Sequence, residues 1–442
     1  MRFRTFVGGA QHVANLVIFA GPLVVGLVLC LVAGRRRWAP SLAVTLAVAV
    51  TLRVIVLGIA TWFHVAPYDF SSDFPIAADN ILNGRDPVLN ARVGGWHFLP
   101  LTAYVLAGQM KAGQLLGLDW AIAGRLVPVA ADLVLTVLVG RLSLRNGSLR
   151  RFQWACNPLA IMVCAVHGQI ESMALAFGVG ALVVAYGGRE RRGPGAAVLA
   201  GLLLGLAIAA NSWPLLLLPG MVLALPGVRR RLTAAATAIG VCVVSLLTEP
   251  LLLQTGQDSY IGALRAIVGA LAHTKPVVGD WGWTSIVEGG AQTVDPTIGS
   301  IGSLVLIAGL IAGVWWWRRA DPLTFTVAVL LAFLICTHRL GAQYLLWPLP
   351  FLFARPTRGA WYATTAATIW AGIGYLWLGT AATWNVWWMR HEVWALSSLV
   401  VIPFLIAALP WGRRVAEPQL PDTGITPAPA VTDHGPPATA RT

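Results

Sequence analysis

An all-α bundle of about 11–13 helices crossing a membrane is the fold that the sequence predicts, on three observations. Of the 442 residues, 57% are hydrophobic and only 11% are charged, whereas an ordinary soluble domain carries about 25% charge. Apolar runs approaching the roughly 20 residues needed to cross a hydrocarbon layer recur along the whole chain. The 31 basic residues come in short bursts between those runs, as in a multi-span membrane protein. The formal charge of +13 therefore marks membrane sidedness. No basic face with interleaved aromatics occurs, so nucleic-acid binding is excluded. Cys30, Cys156, Cys164, Cys242 and Cys336 all lie inside apolar runs without metal-ligand spacing. They read as small hydrophobes.

The predicted spans are 14–34, 41–62, 121–140, 153–166, 170–187, 195–210, 213–226, 232–252, 301–317, 322–337, 342–354, 360–380 and 393–411. The first is too long for a signal-peptide core and reads as a retained helix. Several others are short and need neighbouring helices or a broken-helix arrangement. Arg35–Arg37, Arg141–Arg151, Arg189–Arg192, Arg229–Arg231, Arg318-Arg319, Arg355 with Arg358, and Arg413-Arg414 fill every second connection. The positive-inside rule makes these connections cytoplasmic. Phe98–Gly117, with Gln109, Lys111 and Gln114, is expected as an interfacial helix on the outer surface.

With that orientation, Asp69, Asp73, Asp79, Asp86, Asp119, Glu171, Asp258, Asp280, Glu288, Asp295 and Glu392 fall on the outer side. Polar chemistry is concentrated there. Four regions follow: N-terminal membrane helices over 1–62, a catalytic membrane core with outer loops over 63–355, C-terminal membrane helices over 356–412, and a proline-rich disordered cytoplasmic tail over 413–442.

Four outer patches could carry chemistry, and one of them, Asn211-Ser212-Trp213-Pro214, splits a long apolar run as a broken helix or a plain loop would. The first loop holds Tyr68-Asp69-Phe70-Ser71-Ser72-Asp73-Phe74-Pro75, then Ala77-Ala78 and Asn83-Gly84-Arg85-Asp86-Pro87. Carboxylates beside an apolar wall suit a general base. A solvated acidic loop fits the same residues. Asn157-Pro158-Leu159, followed by His167-Gly168-Gln169-Ile170-Glu171, interrupts two short apolar helices, where ionisable residues are costly. Arg265, His273 and Lys275 in the loop 253–300, and the later turn Thr337-His338-Arg339-Leu340-Gly341-Ala342-Gln343-Tyr344-Leu345-Leu346-Trp347-Pro348, could hold a lipid phosphate.

The order of these motifs resembles the first luminal loop and later helices of polytopic glycosyltransferases of the GT-C fold. It is most similar to the polyprenol-phosphate-mannose-dependent mannosyltransferases of actinobacterial envelopes. The resemblance covers roughly residues 60–355. It implies a GT-C-like enzyme in the cell membrane with its active site on the extracytoplasmic side. Its donor would be a polyprenyl-phosphate sugar, most simply mannose, and its acceptor a cell-envelope glycolipid or polysaccharide. It further implies a first-loop aspartate as base. Asp73 holds that position here with Asp69 as competitor, and His338 is the expected second catalytic group. Asp69, Arg85, Glu171, Lys275, Arg339 and Gln343 are the expected substrate-binding residues. No Asp-X-Asp pair occurs, so no metal ligand set is expected, although a divalent cation held by one carboxylate and the phosphate stays open. A transporter or flippase of a lipid-linked or polar substrate is the alternative, with Arg53, Arg125 and Asp132 as buried ionisable groups.

Overall fold

The computed structural model describes residues 9–412 except 92–95, 97, 144, 188–194, 273–279, 291–294, 380 and 382. Lys275, His273 and the tail from 413 onward therefore lie outside the described residues.

Helices α1 (Gly9–Arg36) and α2 (Leu42–Trp62) open a helical bundle without strands among the described residues. Ser41 caps α2 by accepting the Val44 N–H, which satisfies one orphan donor. A π-helical turn, Asp69–Asp73, leads into α3 (Phe74–Leu82). Then come α4 (Pro100–Leu116), starting at a proline, and α5 (Trp120–Leu142), capped by Asp119. After α6 (Gly147–Ala155), α7 (Pro158–Ile161) runs on as a second π segment, Met162–His167. Next are α8 (Glu171–Gly187), α9 (Gly195–Ala210), α10 (Leu218–Ala224) and α11 (Val228–Leu252). They precede α12 (Tyr260–Ala272), α13 (Thr284–Glu288), α14 (Pro296–Trp317) and α15 (Pro322–Cys336). The chain closes with α16 (Leu349–Ala354), α17 (Ala360–Ile373) and its π extension Gly374–Leu378, α18 (Trp384–Ser397) and α19 (Ile402–Ala408).

Among the described residues, six helical segments are long and apolar enough to cross a membrane: Phe19–Arg36, Leu42–Trp62, Trp120–Leu142, Val228–Leu252, Pro296–Trp317 and Asn385–Ala408. Six shorter apolar helices, among them Pro158–His167 and Glu171–Gly187, fall below that length. The sequence counts 11–13 spans because it sees apolar runs, whereas the chain breaks several of them at Gly, Pro and polar residues. The bundle's exterior is apolar: Val54 on α2, Val244 on α11 and Leu304 on α14 are all exposed. That surface suits lipid rather than water.

The interior centres on Pro158–His167, in which every residue is buried. Helices α5, α8, α9 and α11 pack in sequence beside it. Glycines set the closest approach, since a Cβ at Gly201 would lie 2.4 Å from the Ala234 carbonyl oxygen. Small residues let neighbouring helices pack at this distance without a hydrophobic drive between them. Arg53 and Asp132, both fully buried, pair between α2 and α5. The guanidinium also donates to the Ala49 and Ala155 carbonyls at 3.0 and 2.8 Å. Two of the three ionisable groups expected inside the bundle are thus paired with each other through Asp132 Oδ2.

Helix α5 also sets the two ends of the molecule. Trp120, at its start, donates its indole N–H to the Phe70 carbonyl, and Arg141 lies in its last turn. At 1.5 Å per residue these ends stand about 30 Å apart. The first loop and the arginine-bearing connection after α5 are at opposite ends of the bundle.

Candidate active site

Three chain segments converge at the Trp120 end of α5, and each is a π-helical turn. Asp69 opens the first, His167 ends the second, and Tyr375 lies in the third. Asp69 Oδ1 accepts the Phe70 backbone N–H at 2.9 Å and lies 2.7 Å from His167 Nε2. His167 Nδ1 lies 2.9 Å from the Tyr375 hydroxyl. With Asp69 ionised, Nε2–H donates to the carboxylate, and Nδ1 shares a second hydrogen bond with the Tyr375 hydroxyl. Gln169 donates through Nε2 to Asp69 Oδ2. Its Oε1 accepts the Ile170 N–H at 3.1 Å, so the amide cannot turn without losing that bond.

Local sequence explains the convergence. Gly168, at φ +71°, lets the chain reverse directly after His167. A Cβ there would lie 2.5 Å from the Phe70 ring. Asn157 starts the buried helix by accepting the Leu159 N–H ahead of Pro158.

Burial pushes the Asp69 carboxyl upward in pKa, but the His167 contact and the Phe70 N–H pull it down further, leaving it below the usual carboxylate value. It is charged at neutral pH. Its side chain is 30% exposed, so the carboxylate can still meet a ligand. Glu171 begins α8 fully buried, and its Oε2 has no hydrogen-bond partner among the described residues. It shares an electrostatic environment with Asp69, Tyr344 and Tyr375. Tyr344 stacks on Trp347 with ring centroids 4.3 Å apart, and Trp347 stacks on Trp213 at 4.2 Å. The exposed Arg339 adjoins Tyr344.

The remaining expected residues are placed as follows. Asp73 ends the same π turn, half-buried, but it is Asp69 that takes the hydrogen bonds of His167 and Gln169. His338 is buried with its ring against Gly302 of α14, and its Nε2 accepts the Arg339 Nε–H at 3.2 Å. Burial and the Arg339 cation hold its pKa below the usual histidine value, so it is neutral near pH 7. Gln343 folds over Gly341. Arg85 pairs on the surface with Asp79 at 3.1 Å, a kind of contact worth little. Sequence reading left His167, Gln169 and Tyr375 out of the site. His167-Gly168-Gln169 offered a signal in its polar break, whereas Tyr375 had none within an aromatic-rich run. Among the described residues, no group of three or more His, Cys, Asp or Glu side chains is arranged to hold a metal ion.

The model of glycosyltransferase family 87 matches residues 96–337, over half of the chain. The chain belongs to glycosyltransferase family 87. No curated protein matches it. The family match, together with the helices of membrane-crossing length, makes this protein a membrane glycosyltransferase. The matched stretch includes His167, Gln169 and Glu171, and Asp69 lies upstream of it.

Proposed function

We propose that this family 87 enzyme moves a sugar, most simply mannose, from a polyprenyl phosphate to a cell-envelope acceptor. The acceptor is a glycolipid or polysaccharide, and Asp69 is the general base. The observation that carries this reading is a charged, partly exposed carboxylate held by His167 and Gln169 beside a buried carboxyl and an aromatic wall. Asp69 removes the proton of an acceptor hydroxyl as its oxygen attacks the anomeric carbon. The bond from that carbon to the phosphate oxygen breaks, and polyprenyl phosphate leaves with the electron pair. Attack from the face opposite the phosphate inverts the anomeric centre through an oxocarbenium-like state.

Arg339 is suited to the leaving phosphate, as an exposed guanidinium near the wall. Burial pushes the Glu171 carboxyl up to about 8, so it stays protonated beside the charged Asp69. A groove of about 440 Å³, lined by Leu57, Gly58, Thr61, Trp62, His64 and Ile122, gives an isoprenoid chain a path beside the loop that carries Asp69. The arginine-bearing connection after α5 is at the far end of that helix, so the positive-inside rule supports an extracytoplasmic active site in a multi-pass cell-membrane protein.

The test is transfer from radiolabelled polyprenyl-phosphate mannose and polyprenyl-phosphate arabinofuranose to endogenous lipid acceptors in membranes containing the protein. Asp69→Asn should cost about 10²–10⁴ in rate, the usual worth of a general base, while Asp73→Asn keeps substantial activity. Loss in Asp73→Asn with retention in Asp69→Asn would move the base to Asp73. Transfer from neither donor would overturn the donor class.

A further inference from the structure

Arg125 is the third ionisable group inside the bundle, and it has a different role from the Arg53–Asp132 pair. It is 1% exposed, and among the described residues every hydrogen bond it makes goes to a backbone carbonyl. Nε and Nη2 both donate to the Val166 oxygen, at 3.0 and 2.7 Å. Nη2 also donates to Val65 at 2.7 Å, and Nη1 to Ala121 at 2.5 Å. Its guanidinium lies 4.3 Å from the centroid of the Phe70 ring. Val166 immediately precedes His167. Val65 is four residues before Asp69, and Phe70 is one after it.

A buried guanidinium without an acid partner is costly. The gain lies in geometry, because a planar five-donor fork can fix two carbonyls and a ring at once. A lysine ammonium has neither the fork nor the flat face. Arg125 therefore fastens the loop holding Asp69 to the turn holding His167.

We propose that Arg125 is a positioning residue that sets Asp69 against His167 and so orients the base for its proton transfer. This rests on the reading of Asp69 as the base. The groups sharing Asp69's surroundings are His167, Glu171, Tyr344 and Tyr375. Of these, His167 is the one in hydrogen-bond contact that holds the carboxylate charged.

The experiment compares full-length wild type, Arg125→Lys, Phe70→Leu and Asp69→Asn, with radiolabelled polyprenyl-phosphate mannose as donor. It reads kcat, donor KM and the acid limb of the kcat profile. Arg125→Lys should lower kcat about 10–100-fold, as displacement of a reacting group by an ångström does. Donor KM should stay within about twofold. The acid limb should move to higher pH, because a carboxylate that loses its donor is easier to protonate. Phe70→Leu, which keeps the fork and removes only the stacked ring, should move the limb the same way and less. It serves also if Arg125→Lys does not accumulate. An unmoved limb in both variants, with Asp69→Asn inactive, overturns the positioning role alone. Wild-type transfer by Asp69→Asn overturns the reading of the base, and the role of Arg125 with it.

Discussion

His167→Ala removes the strongest stabiliser of the Asp69 charge and leaves the carboxylate in place. In the native site Asp69 has three donors: the Phe70 N–H, His167 Nε2 and Gln169 Nε2. A hydrogen bond to a charged group is worth about 1.5–3 kcal/mol, and one pH unit corresponds to about 1.36 kcal/mol. Complete loss of the His167 bond would raise the Asp69 pKa by about one to two units. Asp69 is 30% exposed, so water replaces part of the bond and the lower end of that range is expected. The assay is kcat against pH at saturating donor, where the acid limb reports the base in the bound complex. His167→Ala should lift that limb by about one unit. Stability follows the same linkage. A depressed carboxyl pKa stabilises the fold above the ordinary aspartate value, and that contribution is lost as pH falls through the folded value. The Asp69–His167 coupling in a double-mutant cycle on thermal stability should therefore be present at pH 7 and fade in acid. An acid limb in His167→Ala identical to wild type would refute the claim that His167 holds Asp69 charged.

Tyr375→Phe removes the hydroxyl that fixes His167 Nδ1, so kcat should fall by about fivefold, the worth of one neutral hydrogen bond; unchanged kcat would detach Tyr375 from the site. Asp132→Ala leaves Arg53 buried and unpaired, which should cost about 3–5 kcal/mol and show as loss of folded protein in detergent gel filtration, whereas Asp321→Ala, which removes a part-exposed pair with Arg355 and the α15 cap, should cost only about 0.5–2 kcal/mol. Asp86 is buried against Glu249, and burial raises its pKa against the pull of the Leu89 and Val88 N–H groups. That stabilisation is lost as pH rises through the raised folded value, so Glu249→Gln should raise thermal stability at neutral pH; a lower melting temperature there would sink the argument. Tyr68→Cys, exposed one residue before Asp69, should be labelled by an impermeant maleimide in intact cells, and labelling only after permeabilisation would reverse the proposed sidedness.

Most helices were legible because their cause is local. The apolar run predicted over 41–62 is Leu42–Trp62, and that over 121–140 is Trp120–Leu142. Asp119, Asp295 and Asp321 cap helices where a short acceptor precedes an apolar stretch. The expected interfacial stretch around Gln109 and Lys111 is the helix Pro100–Leu116. Gln109 is nevertheless buried and donates to the Ala123 carbonyl, so its polarity reports a contact between α4 and α5 rather than an aqueous surface. Trp394, in a tryptophan-rich stretch whose composition suits a membrane interface, is buried and stacks on Trp370 with centroids 4.1 Å apart. In both cases composition was visible and the partner was not.

The site was less legible for a definite reason. Asp69 and Asp73 are four residues apart and would share a face on an α-helix, so spacing alone could not separate them. The segment is instead a π-helical turn, as are the segments ending at His167 and containing Tyr375. A π turn holds an extra residue relative to the α-helical repeat and so changes the direction of every side chain that follows. It also weakens the local hydrogen-bond geometry, a cost that needs tertiary contacts to offset it. Arg125 supplies such contacts to two of the three segments, through Val65, Phe70 and Val166. The third is tied in through Tyr375 itself. The three irregular turns thus depend on one another. An insertion or deletion of one residue within Asp69–Asp73 would redirect the carboxylate without disturbing the apolar pattern by which the sequence announces its helices.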